Sequence, residues 1–347
     1  TDQSLTSGNE EVYLYTLDGN TIVGSTLTSL EWSALVDKTD TILGEYVFRV
    51  QTTDGGVVSL NQYAEIDHLP TDGASSDYAD QTWTLDDGQI YLRGTVTVTD
   101  NDTDTAADTN GYLDLGGNLR ITDDGPVETT AVTPDLTGLS LLTGDGGLTG
   151  GNDKALAASD SDDGIDISAL FIAAVTADYG ADGAGTQTAS NFQFASTTPG
   201  LTAGATTGVD SGLALSDGTT VYAYLSTDGR TLTGTDSSSS GGTTVFTITI
   251  DGSTGAVSQT QSAALEHSVP EDGSGLSNVD GFYSDDRVDL SAGLNLTITA
   301  DVTTTDADGD YVTNDTVTSG DIASSFVFGD DGPVETTAVT PDLTGLS

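Results

Sequence analysis

Residues 219–261 read TTVYAYLSTDGRTLTGTDSSSSGGTTVFTITIDGSTGAVSQTQ, and the runs inside this stretch set the fold class. Thr219–Ser226, Thr243–Ile250 and Gly255–Gln261 are rich in Val, Ile, Thr, Tyr and Phe and alternate in polarity. A period of two, closed by Asp-Gly or Gly-Gly turns, predicts strands. The same signature recurs at Glu11–Thr16, Gly44–Gln51, Val57–Tyr63, Gln89–Thr99, Val288–Val302 and Ser324–Gly329. Helical spacing is confined to Ile167, Leu170, Phe171 and Ala174, and to Leu30, Ala34 and Leu35. The Ser-rich Asp236–Gly242 reads as a flexible loop. Short, regularly spaced strands with polar turns predict an all-β fold of tandem β-sandwich (Ig-like) modules with short helical insertions.

The chain also repeats itself. DDGPVETTAVTPDLTGLS stands at Asp123–Ser140 and again, letter for letter, at Asp330–Ser347. Looser matches follow the same spacing. Val12-Tyr-Leu-Tyr15 resembles Val221-Tyr-Ala-Tyr224, and Asp100-Asn-Asp-Thr-Asp104 resembles Asp306-Ala-Asp-Gly-Asp310. A long period of this kind marks a tandem array. Residues 1–124 are expected to be the C-terminal part of one repeat. Residues 125–331 would be a complete repeat with a subdivision near 205. Residues 332–347 would start the next repeat or form an exchanged strand.

Composition narrows the function. Among 347 residues there are 7 Lys plus Arg and 55 acids, giving a formal net charge of −48; 9 of the acids are Glu and 46 are Asp. Such a surface repels nucleic-acid backbones and anionic membranes. With no Cys, disulfides and thiolate metal sites are excluded. No apolar run is long enough to span a bilayer, and Thr1–Glu10 shows no secretory signal pattern. Disorder is disfavoured by 35% hydrophobic residues and 12 Tyr. Asp is short, disfavours helix interiors and suits turns and hard-cation coordination, and bound cations would relieve the self-repulsion.

Four landmarks in 125–333 carry a resemblance: Asp178-Tyr-Gly-Ala-Asp-Gly-Ala-Gly185; Ser211-Gly-Leu213 with Val221–Leu225; Phe246–Asp251 with Thr254–Gln261 and Ala264-Leu-Glu-His267; and Asp306–Asp310 leading to Phe328-Gly-Asp-Asp-Gly-Pro333. The repeat resembles the long tandem modules of giant type I-secreted, RTX-type bacterial adhesins. That resemblance implies a secreted, extracellular chain at the bacterial cell surface, with Ca²⁺ as cofactor. The first copy departs from the pattern: it has no Gly inside Asp100–Asp104 and carries the insertion Ser29–Thr41.

Asp306, Asp308 and Asp310 alternate, so an extended backbone would aim their carboxylates to one side. Ca²⁺, which takes six to eight oxygens, suits that arrangement. An EF-hand does not, because Tyr311 and Val317 occupy its Gly and Glu positions. Asp100, Asp102 and Asp104 are the equivalent candidates in the first copy. The resemblance adds Glu266, and Glu65 or Asp67, as ligands completing the Asp clusters. His267 and His68 read as hydrogen-bonded strand-end residues. The junction pairs Asp123-Asp124 and Asp330-Asp331 are open between a cation site and a linker turn. Asp160-Ser-Asp-Asp163 is an acidic turn, and Gly150–Asp153 a Gly-rich loop.

No nucleophile elbow, P-loop or zinc-protease motif occurs, so no enzyme is expected. The expected function is a structural, Ca²⁺-rigidified stalk or fibre of a secreted adhesin. The alternatives are a self-assembling protomer of a filament or surface layer, and a carbohydrate-binding module using Trp32, Trp83 and Tyr78. Expected partners are neighbouring repeats of the same chain, or identical chains joined head to tail through Val334–Ser347, with cell-surface glycans next. Neither nucleic acid nor membrane insertion is expected.

Overall fold

The computed structural model describes residues 5–8, 10–34, 46–67, 81–127, 131–148, 160–267 and 287–330. They fall into two units. The first comprises Thr1–Glu128 with Ala177–Thr186 and Thr304–Val312; the second comprises Thr129–Thr176, Gln187–Thr303 and Thr313–Ser347. Among the described residues, no helix is long and apolar enough to cross a membrane.

In the first unit, β1 (Thr6–Ser7) pairs with β2 (Glu10–Glu11). β3 (Tyr13–Asp18), β4 (Thr21–Ser25), β5 (Tyr46–Thr52) and β6 (Val58–Gln62) form an antiparallel meander. Between β4 and β5 lies the short helix α1 (Ser29–Ala34). Glu31 accepts hydrogen bonds from the Thr28 amide and hydroxyl, both 2.8 Å, satisfying free donors at the helix start. β7 (Thr82–Thr84) pairs with β10 (Arg120–Thr122), while β8 (Tyr91–Thr99) and β9 (Thr105–Asp114) form a hairpin. Phe48, Val50, Ile66, Leu85, Ile90 and Ile121 make the core.

The second unit opens with β11 (Leu141–Gly144) and β12 (Asp160–Asp166). After the helix α2 (Ser168–Ala173) come β13 (Ala184–Ser196), β14 (Val209–Ala214), β15 (Thr220–Leu225), β16 (Thr231–Thr235), β17 (Thr244–Ile250) and β18 (Ala256–Gln261). β19 (Arg287–Asp289), β20 (Leu296–Asp306), β21 (Tyr311–Thr318) and β22 (Phe326–Gly329) follow, although the start of β13, the end of β20 and the start of β21 belong to the first unit. One sheet runs β12-β18-β17-β16-β15-β14; the others are β13-β20-β21 and β11-β22-β19. Inward residues alternate along the strands, as in the buried Leu296, Ile298, Ala300 and Val302 of β20. They meet Phe246 and Ile248 of β17 and Phe326 and Phe328 of β22 in one apolar core. The fold is therefore all-β and of sandwich type, as the alternation predicts.

The internal repeat is visible in strand register. In β4–β5, Gly24 lies opposite Phe48, with a bulge after Gly24. In β16–β17, Gly234 lies opposite Phe246, with a bulge after Gly234. A Cβ at either glycine would overlap the facing phenyl ring. Each glycine thus vacates the space that its buried Phe fills, which strand alternation alone does not reveal.

Three expectations are corrected. Val288–Val302 is not one strand: a 3-10 turn at Leu290–Ala292 divides β19 from β20, fixed by Asp289 accepting from the Ser291 amide. Asp160–Asp163 is not a turn but the start of β12, hydrogen-bonded along β18 with a bulge between Asp163 and Ile165. The Ser-rich Asp236–Gly242 is tied down by bonds from Tyr224 Oη to Ser237 O (2.7 Å) and from the Gly208 amide to Ser238 O (3.1 Å).

The excess of Asp over Glu has a local cause. Asp18, Asp135, Asp166, Asp217, Asp228, Asp251 and Asp289 each accept a hydrogen bond from the backbone amide two residues on. Only a side chain as short as Asp or Asn closes this ring. Bonds from Thr137 hold the Asp135 carboxyl below its ordinary range, and bonds from Ser253 and Thr254 do the same for Asp251.

Candidate metal centre

The β20–β21 connection is a tight loop that the first copy reproduces. The Asp306 amide donates to Asp310 O at 3.0 Å, and the Asp100 amide donates to Asp104 O at 3.0 Å. Asp306 Oδ1 accepts from the amides of Gly309 (3.0 Å) and Asp310 (2.8 Å). Asp100 Oδ1 accepts from those of Asp102 (3.2 Å) and Asp104 (3.0 Å). The same backbone sits in opposite surroundings. Asp100, Asp102 and Asp104 are all exposed, whereas Asp306 and Asp310 are buried and Asp308 half-buried.

Burial around Asp306 comes from two other segments of the first unit. The loop before β13 brings Asp182, whose carboxylate gathers with those of Asp306 and Asp308. The same Asp182 gathers with Asp123 and Asp124. Asp124 accepts from the Ala181 amide (3.1 Å), fixing one segment on the other. Gly185 lets β13 start against Asp306, because a Cβ there would strike the Thr305 and Asp306 carbonyls. Gln81 spans the far side: its Nε2 donates to both Asp310 oxygens at 2.8 Å, and its carbonyl accepts from the Asp123 amide.

Two carboxylate triplets that share Asp182 therefore lie side by side, with Asp310 and the Gln81 side-chain amide next to them. Asp306 Oδ2 and both Asp308 oxygens are buried with no hydrogen-bond partner. Desolvation, then Asp308, push the Asp306 carboxyl up to about 8. Desolvation, then Asp123, push Asp310 up to about 6. Asp100, bonded to Asp102 and to backbone amides in water, lies below its ordinary range. Buried carboxylates of this kind call for neutralisation. An all-oxygen donor set fits a hard cation of Ca²⁺ type and lacks the nitrogen and sulfur of zinc sites.

The remaining candidates go elsewhere. Glu266 is exposed in the second unit, its amide bonded to Ala214 O, and takes no part in the Asp306 cluster. Glu65 is half-buried near Gly8 and outside the Asp100 loop. Asp67 accepts from the Gly8 amide at 2.8 Å. Asp330, the repeat twin of Asp123, lies 3.6 Å from His267 Nδ1, while His267 Nε2 faces Phe328 O at 3.3 Å. Buried Asp145, accepting from Gln261 and Leu265, completes that group, and burial raises its carboxyl to about 7. Asp331, His68 and Tyr78, with Val334–Ser347, lie outside the described residues. Trp32 is a core residue stacked on Tyr15 at 4.3 Å, and Trp83 packs against the first-unit core.

Asp182, Gln81 and Asp145 were not singled out from sequence. Asp182 had a signal, since it belongs to the Asp178–Gly185 landmark. The other two had none.

A family model described as a domain of unknown function (DUF5801) matches residues 1–116 and 152–323. The chain belongs to the DUF5801 family. No curated protein and no solved structure matches it. Both copies of the DDGPVETTAVTPDLTGLS segment of this DUF5801 chain fall outside the matched stretches.

The first-copy loop of the DUF5801 chain carries a cost. Thr103 stands where the second copy has Gly309, and its φ is +79° against +111° for the glycine. A β-branched residue is strained there. Thr103→Gly is expected to raise stability by about 0.5–1 kcal/mol, the strain relieved less the added chain entropy. Urea unfolding followed by Tyr fluorescence checks this; a loss of stability would mean that the loop is not strained.

Proposed function

We propose that this chain is a structural repeat region whose modules are rigidified by Ca²⁺, forming the stalk or fibre of a secreted bacterial surface adhesin. The observation that carries the reading is the convergence on Asp306, Asp308 and Asp310. Asp306 Oδ2 and both Asp308 oxygens, buried and unpartnered, stand at the tip of a β-hairpin and meet Asp123, Asp124 and Asp182 from two distant segments. A cation there ties three parts of the first unit together, which is a structural task. The tandem repeat and the resemblance to type I-secreted adhesin modules support the extracellular setting, where Ca²⁺ is plentiful.

Calorimetric titration tests the reading. Ca²⁺ is expected to bind the full chain, and Asp308→Ala to weaken that binding at least tenfold. Asp102→Ala, in the exposed first-copy loop, is expected to leave the tightest binding unchanged. No heat on adding Ca²⁺, or equal affinity in Asp308→Ala, overturns it.

A further inference from the structure

We infer that the outer edge of β8 is a docking site for a strand from a further copy of this repeat, namely the segment equivalent to residues 184–196. The inference stands on the internal repeat and needs no cation.

The two hairpins align through their matching Asp loops. Counting back from Asp100 and Asp306 sets Val98 against Thr304, Val96 against Val302, Gly94 against Ala300, and Ile90 against Leu296. In the second copy this face is sealed: Val302 is 0% and Thr304 2% exposed. In the first copy only the near end is. Ile90 is 3% exposed, but Val96 is 63% and Val98 66%. Leu113 of β9, opposite Leu92, is exposed as well.

Val302 lies in the large apolar core of the second copy, and the sheets differ as well. β20 has β21 on one side and β13 on the other, whereas β8 has only β9 among the described residues. β13 brings Phe192 and Phe194, both buried; Phe192 packs edge-to-face on Phe171 and Phe194 on Phe326. Among the described residues, the first copy, up to residue 124, holds no counterpart of β13. Among the described residues, β8 therefore presents an unpaired outer edge beside an apolar stripe, the combination that strand addition uses. The occupant is named by the twin: β13 is what this sequence places on this edge.

The test uses the absence of cysteine. In the full chain, Val98→Cys supplies a single thiol that maleimide is expected to label rapidly, while Val302→Cys in a separate chain labels slowly. Residues 125–209, fused ahead of Thr1, place a copy of β13 before the first unit in the order that the second copy shows. Labelling of Val98→Cys is then expected to slow at least tenfold, and the same extension carrying Phe192→Asp and Phe194→Asp is expected to leave it fast. Amide hydrogen exchange of Tyr91–Thr99 in the otherwise unaltered chain is expected to slow at least tenfold with the intact extension, which covers any disturbance by the new thiol. Equal labelling and exchange with and without the extension, or equal protection by the Asp-bearing extension, overturns the proposal.

Discussion

Chelating Ca²⁺ is expected to lower the Tm of the full chain by about 5–10 °C. A ligand held at a hundred times its Kd stabilises the bound fold by about 2.7 kcal/mol, and for a unit of this size each kcal/mol shifts Tm by about 2–4 °C. The sign of one variant separates a cation site from a merely acidic loop. Asp308 raises the cost of ionising buried Asp306. Asp308→Asn removes that repulsion, so in chelator it is expected to melt above the unaltered chain. In Ca²⁺ it loses a ligand and is expected to melt below it. Scanning calorimetry of both proteins in both buffers gives the four values. Melting curves indifferent to chelator would sink the cation reading.

Gly234→Val is expected to cost about 3 kcal/mol, near the upper end for overpacking a filled core. The added branch has no room, because the Phe246 ring occupies the space above Gly234 and is itself fully buried. Phe246→Ala is expected to cost about 3–5 kcal/mol through the cavity that it leaves. The two are neighbours, so their effects should not add. The double variant, with Val filling part of the vacated ring space, is expected to cost less than the sum. Denaturant midpoints of the four proteins close the cycle. Strict additivity would mean that ring and glycine do not share one volume.

The strands most legible in the sequence were those with β-branched and aromatic alternation, such as β15, β17 and β18. β13 does not show in the sequence pattern although it is the longest strand among the described residues. Its sequence, AGTQTASNFQFAS, is dominated by small and polar residues, and only Ala189, Phe192 and Phe194 are buried. Its pairing with β20, more than a hundred residues away, decides its structure. β12 is hidden for the opposite reason, since DSDDGID has turn composition yet lies along β18. The Asp306 loop was legible because its ligand atoms alternate within five residues. Asp182 and Gln81 reach the same volume only through tertiary folding. Identical letters did not guarantee identical roles either. Asp123 gathers with Asp124 and Asp182, whereas its twin Asp330 faces His267, because the partners come from elsewhere in the chain.

The pairing of β11 with β22 has a mechanical meaning. The two strands are parallel, with Leu141 opposite Phe326 and Gly144 opposite Gly329. Tension entering from residue 140 pulls on the Leu141 end of the ladder, and tension leaving toward residue 330 pulls on the Gly329 end. These are opposite ends of one short parallel ladder. The load therefore runs along the strands in shear, stressing the slanted bonds together instead of peeling them one at a time. A parallel ladder placed in this way is expected to clamp the chain between residues 141 and 329 against a pull along its length.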